Sequence, residues 1–205
     1  MQATGVKHLV ALGGDHSITL PLLRALSRKS GPPALIHLDA HVDTWPENFG
    51  QKYAHGSVFY HAIEEGLVQP GRMVQVGIRS PVERGVHDWT LARGVVMITA
   101  QDVHEQGPPA IAEQVRQVIG NGPVYLSFDI DVLDPAFAPG VSHREPGGMS
   151  VREVLEHLHS ITATIVGADI VEYNPSRDVS ELTGTVAGKI LKELLGKMLM
   201  ACNCP

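Results

Sequence analysis

The sequence predicts an α/β fold with a mostly parallel β-sheet covered by helices on both faces. Short apolar runs rich in β-branched residues alternate along the chain with longer amphipathic stretches. This alternation is typical of parallel strands joined by crossover helices. The chain has 205 residues, 43% of them hydrophobic, which is enough for one substantial core. We therefore expect a single domain spanning residues 1–205.

Six segments have strand character, and four have helical periodicity. The predicted strands are 8–12, 34–38, 73–78, 95–99, 123–128 and 164–171. The predicted helices are 18–28, 110–119, 151–158 and 182–200. Ser150 stands directly before the third helix and three residues before Glu153, which is a capping-box pattern. The one long irregular segment, 133–148, is rich in Pro and Gly, and long loops of this kind are often functional.

Charge and composition exclude several classes of partner. The formal net charge is −6 with no cluster of basic residues, so we expect no nucleic-acid partner. A mildly acidic protein suits a small cationic substrate. We predict no membrane span and no signal peptide, and hence a cytoplasmic location. The two cysteines, Cys202 and Cys204, stand at the extreme C-terminus, which favours a reducing compartment.

Four short motifs concentrate acids and histidines near the predicted strand ends. They are Gly-Gly-Asp-His-Ser at 13–17, Asp-Ala-His-Val-Asp at 39–43, Ala-His-Gly-Ser at 54–57 and Ser-Phe-Asp-Ile-Asp at 127–131. Three of the four follow directly on apolar runs. The carboxyl ends of parallel strands are where α/β enzymes place their chemistry. We therefore expect these motifs to meet at one edge of the sheet.

The spacing of the acids indicates a cation site. If the second strand extends far enough, Asp39, His41 and Asp43 point the same way, as do Asp129 and Asp131. Taken alone, the first of these patterns could also be a polar turn that follows a strand. Several clustered carboxylates and imidazoles would repel one another or need a cation. Because no thiolate is present, the ligand types favour a hard or borderline ion such as manganese.

Further residues could act beside such a cation site. His16 follows two glycines at a strand-to-helix turn, where its ring can face the same rim, although a buried hydrogen-bonded histidine is the alternative. His55 lies in a glycine-containing turn and suits a proton shuttle at neutral pH. Glu172 ends an apolar run and needs a partner, which a structural salt bridge could also supply. His37 is expected to have a packing or supporting role. The remaining histidines are expected at the surface or in packing: His8, His61, His87, His104, His157 and His159.

The motifs resemble the signatures of the ureohydrolase family, which includes arginases and agmatinases. The resemblance rests on Gly-Gly-Asp-His-Ser (13–17), Asp-Ala-His-Val-Asp (39–43) and Ser-Phe-Asp-Ile-Asp-Val-Leu-Asp-Pro-Ala-Phe-Ala-Pro-Gly (127–140). It extends from the first predicted strand to the last predicted helix. It implies a three-layer α/β/α sandwich of the arginase-like type and a single ureohydrolase domain. It also implies a centre of two Mn2+ ions whose bridging hydroxide hydrolyses a guanidino compound.

The resemblance also implies roles for individual residues. One ion would be held by four ligands: His16, Asp39, Asp43 and Asp129. The other would be held by four ligands, two of them shared: Asp39, His41, Asp129 and Asp131. His55 would correspond to the proton shuttle of the family, and Glu172 to the acid that binds the substrate guanidinium.

The substrate is expected to be agmatine, cleaved to putrescine and urea in polyamine biosynthesis. Arginases resemble one another in a polar Asn/Ser/Thr-rich loop, whereas here residues 44–50 read Thr-Trp-Pro-Glu-Asn-Phe-Gly and the segment after His55 looks like agmatinase. Trp45 and His143 are expected to line the pocket. His143 stands where many members carry Gly-Thr-Pro and is reminiscent of plant arginases, so arginine remains an alternative. A third candidate substrate is 4-guanidinobutyrate.

Family members normally carry a further N-terminal segment ahead of the first motif. The first motif begins at residue 13 in this chain, so the fold is expected to be N-terminally truncated. A truncated protein that binds metal without turnover is therefore an alternative to an active enzyme. The resemblance further implies a homo-oligomer, either a trimer or a hexamer.

Overall fold

A computed structural model describes residues 8–202 of the chain. Six strands form one sheet in which all pairings are parallel. They are β1 (Leu9–Leu12), β2 (Ala34–Leu38), β3 (Met73–Ile78), β4 (Val96–Thr99), β5 (Val124–Asp129) and β6 (Ile165–Val171). Their order across the sheet is β1-β6-β5-β2-β3-β4. All six predicted strands are confirmed, with ends that agree to within about one residue.

Seven α-helices accompany the sheet in the described residues. They are α1 (Thr19–Ser30), α2 (Val58–Glu64), α3 (Arg84–Ala92), α4 (Ala100–Gln106), α5 (Pro108–Ile119), α6 (Val151–Ser160) and α7 (Leu182–Cys202). The four predicted helices are α1, α5, α6 and α7. The capping box of α6 is confirmed: Glu153 N–H donates to Ser150 Oγ at 3.2 Å, and Ser150 N–H donates to Glu153 Oε2 at 2.7 Å.

Two apolar cores on opposite faces of the sheet make the fold three-layered. Successive side chains of a strand point to opposite faces, so Ile36 of β2 packs in one core and its neighbour Leu35 in the other. The first core is closed by apolar residues of α5, α6 and α7, and the second by residues of α1 and α2. Every residue of β2, β3 and β5 is buried, as expected for central parallel strands covered on both sides. The predicted α/β/α sandwich is confirmed.

The strand register sets the level of the functional motifs. Leu38 of β2 pairs with Phe128 of β5, which pairs with Ile170 of β6, which pairs with Leu12 of β1. The residues that follow these four are therefore level at the carboxyl edge of four adjacent strands. Three of the four motifs reach this level, so the register brings them to one edge across about 15 Å of sheet.

Two further sequence expectations concern the terminal cysteines and membrane-spanning helices. Cys202 ends α7, whereas Cys204 and residues 1–7 lie outside the described residues. Within 8–202, none of the helices combines the length and the apolar character that crossing a membrane requires.

Candidate metal centre

Local turns, not strand alternation, bring the acids of each motif to one rim. β2 ends at Leu38, so the expectation that a longer strand aligns residues 39, 41 and 43 is wrong. Instead, Asp39 Oδ1 accepts the backbone N–H of His41 at 2.6 Å. In the same way, Asp129 Oδ1 accepts the N–H of Asp131 at 2.8 Å, where β5 has already ended. Such Asx turns bend the chain back on itself, so residues two apart face the same side.

Two acids of the site have left-handed backbone conformations. Asp43 has φ 47° and Glu172 has φ 63°. This conformation costs a non-glycine residue about 1–2 kcal/mol, so surrounding contacts must enforce it. The Asp43 carbonyl accepts the N–H of Phe59 at 3.0 Å, and the Glu172 N–H donates to the Gly14 carbonyl at 2.9 Å. Strain held in place by such contacts is characteristic of functional sites.

The first ligand cluster surrounds Nδ1 of His16. This atom lies 3.0 Å from Asp43 Oδ2, 3.2 Å from Asp39 Oδ2 and 3.3 Å from Asp129 Oδ2. It is buried, yet it has no hydrogen-bond partner in the described chain. A buried imidazole nitrogen that faces three carboxylate oxygens needs a cation or a proton between them. The four residues therefore fit a metal ion, and they are the four predicted for the first one.

The second ligand cluster shares Asp39 with the first. His41 Nδ1 lies 3.1 Å from Asp131 Oδ2 and 3.3 Å from Asp39 Oδ1. The two oxygens of Asp39 thus face different histidines, as a bridging carboxylate requires. Asp131 is held in place by its Oδ1, which accepts the N–H of Ala40 at 3.1 Å. Glu145, which the sequence analysis did not single out, places Oε1 3.9 Å from His41 Nε2.

Burial and the crowding of charges raise the pKa values of two acids and one histidine of the ligand clusters. Burial, together with the neighbouring Asp131 and Asp39, raises the pKa of Asp129 well above its ordinary value. Burial and Asp39 likewise raise the pKa of Asp131 to about 6. Burial alone would lower the pKa of His41, but the Asp131 and Asp39 carboxylates raise it to about 12. The cluster therefore binds protons strongly, and a divalent cation would compete with them for the same atoms.

His37 hydrogen-bonds Asp39, and both of its ring nitrogens have partners in the chain. Its Nε2 donates to Asp39 Oδ2 at 2.7 Å, and its Nδ1 accepts from Gln75 Nε2 at 3.0 Å. Gln75 Nε2 also donates to the Val42 carbonyl at 2.6 Å, which fixes the orientation of its amide. Because both ring nitrogens are occupied, His37 has no lone pair left for a metal. These contacts are in keeping with the expected packing or supporting role of His37.

A short 3₁₀ turn, His55–Ser57, presents His55 to the same edge. Ser57 fixes this turn, because its Oγ accepts the N–H of Ala54 at 2.9 Å and donates to the Lys52 carbonyl at 2.8 Å. His61 is buried and donates to the same carbonyl at 2.6 Å, in keeping with its expected packing role. The His55 ring lies 5.7 Å from the ring of His143, measured between centroids.

A cavity of about 100 Å³ opens over the two ligand clusters. Its lining includes the ligands His41, Asp43, Asp129 and Asp131, together with His55, Glu172, Trp45, His143, Asn48 and Phe49. Glu172 is fixed beside it because its Oε1 accepts the backbone N–H of His16 at 2.9 Å, and burial raises its pKa. No lysine or arginine of the described chain is among the lining residues. The cavity therefore suits a small cation.

Arg79 is a supporting residue that the sequence analysis missed. Its guanidinium donates to the carbonyls of Asp131 and Glu145, both at 2.7 Å, and thereby ties the second ligand cluster to the loop that carries Glu145. A Cβ atom at Gly148 would lie 2.6 Å from Arg79 Nη2, so glycine is needed where the loop crosses the guanidinium. The only sequence signal was the position of Arg79 directly after β3.

Comparison with known proteins identifies the family. The family model described as "Arginase family" matches residues 2–196. Proclavaminate amidinohydrolase of Streptomyces clavuligerus is 44% identical over 90% of this chain and 59% of its own length. Its solved structure superposes with a TM-score of 0.89 at 42% identity, covering 94% of this chain and 64% of that one. The chain therefore belongs to the arginase family, as the motifs predicted.

Relatives with different printed activities are about equally similar. An agmatinase of Neisseria meningitidis is 45% identical over 92% of this chain and 59% of its own length. Arginase 1, mitochondrial, of Arabidopsis thaliana is 45% identical over 92% of this chain and 54% of its own length. The chain thus spans less than two thirds of the length of these relatives. Overall similarity does not distinguish among the three activities.

Proposed function

We propose that this chain is a metal-dependent amidinohydrolase that hydrolyses agmatine to putrescine and urea. The observation that carries the proposal is the pair of ligand clusters that share Asp39 and open into one cavity with Glu172 and His55. Six oxygen- and nitrogen-bearing ligands without a thiolate suit two Mn2+ ions. When bound, two such metal ions would supply a hydroxide nucleophile at neutral pH and would stabilise negative charge on the attacked group.

In this proposal the ligand residues follow the two clusters. His16, Asp43 and the shared Asp39 and Asp129 would hold the first ion. His41 and Asp131, with the same shared acids, would hold the second. Support comes from the buried, unpartnered Nδ1 of His16 and from the two oxygens of Asp39, which face different histidines.

Glu172 is proposed to orient the substrate. Its Oε1 is held by the His16 N–H, and its left-handed backbone is tied to Gly14. A carboxylate fixed in this way beside the cavity can accept two parallel hydrogen bonds from a guanidinium group. The contact would place the guanidinium carbon over the ligand clusters, where the water oxygen adds to it. Orientation of this kind accounts for a large part of enzymatic rate enhancement.

His55 is proposed to deliver the proton that the leaving amine needs. Hydrolysis adds a water oxygen to the guanidinium carbon and breaks one carbon–nitrogen bond, so the departing nitrogen must gain a proton. His55 lines the cavity on a turn that Ser57 anchors, and its imidazole can both accept and donate a proton. His143 lies beside it, and burial together with His41 and His55 lowers the pKa of His143. We assign His143 and Trp45 to the walls of the substrate pocket.

Agmatine is favoured over its two competitors by charge. A cavity without a lysine or arginine offers no counter-ion for the carboxylate of arginine or of 4-guanidinobutyrate, whereas the ammonium tail of agmatine suits an acidic site. Arginase activity is the second candidate, because His143 stands at the pocket and an arginase is among the close relatives. An inactive metal-binding protein is the third, because the chain spans 59% of its agmatinase relative.

A substrate panel tests the proposal. The protein is loaded with Mn2+, its metal content is measured, and urea release is followed with agmatine, arginine and 4-guanidinobutyrate. We expect two ions per chain and the highest kcat/KM with agmatine. Higher kcat/KM with arginine would favour arginase, and two bound ions without urea from any substrate would favour the inactive protein. Gel filtration of the same sample tests the predicted trimer or hexamer.

A further inference from the structure

A buried carboxylate in β6, Asp169, lies behind the first ligand cluster. Its side chain is fully buried and accepts hydrogen bonds from three hydroxyl groups. Ser127 Oγ donates to Oδ1 at 2.7 Å, while Tyr125 OH and Thr19 Oγ1 donate to Oδ2 at 2.6 and 2.8 Å. Both carboxylate oxygens of Asp169 therefore have hydrogen-bond donors within the chain.

The direction of the hydrogen bonds from Asp169 to His16 is fixed. A serine hydroxyl has one hydrogen, and that of Ser127 points to Asp169. Ser127 Oγ also lies 2.8 Å from His16 Nε2, so it must accept a hydrogen from that nitrogen. When Nε2 carries the hydrogen, the lone pair of the neutral ring is on Nδ1. This is the atom that faces the carboxylates of Asp39, Asp43 and Asp129.

We propose that Asp169, acting through Ser127, is a positioning residue that sets the His16 tautomer required for the first metal ion. The inference rests on the proposed two-ion site. Asp169 does not line the cavity and acts only through the imidazole. An outer hydrogen-bond partner of a ligating histidine fixes its tautomer and its orientation and raises its basicity. The hydroxyl of Ser127 transmits this effect across one additional hydrogen bond.

Tyr125 and Thr19 contact one carboxylate oxygen of Asp169, and Ser127 contacts the other. Both donate to Oδ2 and so leave Oδ1 for the serine. Burial and the adjacent Asp169 raise the pKa of Tyr125 well above its ordinary value, so its hydroxyl remains a donor. Because Oδ2 has two donors and Oδ1 has one, the orientation of an amide at position 169 can be predicted.

The hydrogen bonds that join residue 169 to Ser127 and Ser127 to His16 are called the relay here. Asp169→Asn should reverse the direction of both hydrogen bonds with almost no change in side-chain shape. The amide oxygen stays with the donors Tyr125 and Thr19, and the amide N–H then points at Ser127. Ser127 must accept that hydrogen and donate its own to His16 Nε2. The imidazole hydrogen moves to Nδ1, where it blocks the ion. We expect the affinity for one of the two Mn2+ ions to fall by about 10- to 100-fold, while the other changes by less than about threefold.

Tyr125→Phe is the matched control, because it removes one hydrogen bond to the same carboxylate without reversing Ser127. Both Mn2+ affinities should then stay within about threefold of wild type. Affinities are measured from the electron paramagnetic resonance signal of free Mn2+ during titration, and circular dichroism verifies folding. If Asp169→Asn does not fold, Ser127→Ala takes its place, with an expected loss of about tenfold at the same ion.

A second readout is independent of both catalysis and substitution. In Zn2+-loaded wild-type protein with 15N-labelled histidine, His16 should show a protonated Nε2 and a metal-bound Nδ1. A hydrogen on Nδ1, or unchanged affinities in Asp169→Asn, would overturn the proposal, as would equal losses in Asp169→Asn and Tyr125→Phe. Wild-type protein that binds two ions but releases no urea would refute only the proposed activity. Failure to bind a first ion at His16 would refute the relay as well.

Discussion

Two buried histidines of this protein, His16 and His157, have opposite electrostatic environments. Both are almost fully buried, and both have a ring nitrogen without a hydrogen-bond partner in the described chain. Burial alone would lower the pKa of His16, but the carboxylates of Asp129, Asp39 and Asp43 raise it well above its ordinary value. His157 in α6 has burial as the sole cause of its shift, and its pKa falls to about 4.

The difference shows which of the two sites requires a cation. His157 is a neutral ring in an apolar layer, where protonation would cost further stability. His16 sits among buried acids whose negative charges are not compensated by the histidines alone, so the site is incomplete without a proton or a metal ion. Burial of a histidine therefore says little by itself, and the neighbouring carboxylates decide its role.

The largest expected effect comes from removing a shared acid. Asp129→Asn removes a carboxylate of the first cluster that the proposal assigns to both ions, with little change in side-chain shape. We expect Mn2+ retention and urea release both to fall by more than about 100-fold, beyond what the loss of a supporting residue costs. Metal content after dialysis and urea assays measure the two effects. Asp134→Asn, in the loop after β5 but outside the cavity lining, is the control and should retain both ions.

The next largest effect should separate proton transfer from ion binding. His55→Asn leaves the ligand clusters unchanged but removes the proposed proton donor, so turnover should fall by about 10²- to 10⁴-fold while both Mn2+ ions stay bound. Metal content and kcat are measured on the same preparation. Loss of the ions in this variant would mean that His55 belongs with His16 as a ligand and not with the proton-transfer residues.

His157 should respond to pH in a way that His16 does not. Its folded-state pKa of about 4 lies below the ordinary value of 6.5, so between these pH values the unfolded chain binds a proton that the folded chain excludes. The free energy of unfolding therefore decreases as the pH falls through this window, by about 3 kcal/mol in total. Above pH 6.5 the ring is neutral in both states, so His157 causes no loss of stability there.

The change to test this is His157→Leu, which removes the titrating group from the apolar layer. Urea denaturation at several pH values should show a weaker pH dependence than wild type between pH 6.5 and 4. The exposed His104→Gln is the control and should follow the wild-type curve. An unchanged slope in His157→Leu would show that the buried ring is not the source of the acid sensitivity.

The smallest effect is expected from the support of Asp39. Gln75→Leu removes the donor to His37 Nδ1 and to the Val42 carbonyl, so His37 loses the constraint on its ring. We expect Mn2+ affinity to fall by about tenfold. Gln69→Leu is a matched control, because that amide bonds the Pro32 carbonyl away from the cavity. Equal affinities in the two variants would argue that Asp39 needs no such support.

The sequence predicted the strands and the residues that cluster at their ends better than the geometry that joins these residues. The six strands were readable because each is a compact apolar run between turn residues, and the motifs contain all six residues of the proposed ligand clusters. Strand alternation was the wrong reason for their clustering, since β2 ends at Leu38 and the Asp39 side chain makes the turn. A hydrogen bond from a side chain to the backbone two residues away is a local choice that apolar patterning does not encode.

The supporting residues were harder to predict because their partners are distant in the chain. Asp169 is a lone acid in the apolar run of β6, and its contact with Ser127 depends on strand pairing. Arg79 contacts a loop more than 50 residues away. The helices α2, α3 and α4 were missed because seven to nine residues give too few turns for a periodic pattern. In each case the information lies in tertiary contacts.

The position of β1 in the sheet has a consequence for how the protein folds. In the described chain β1 is an edge strand whose neighbour is β6, and Leu9 pairs with Gly167. The turn that carries His16 therefore docks only after most of the chain has been synthesised and the sheet has been assembled. Contacts of such long sequence separation form slowly, because the intervening chain must first be ordered. The first ion site would thus be completed last. An ion that binds there would bind only the fully assembled sheet, and it would therefore stabilise that state by mass action.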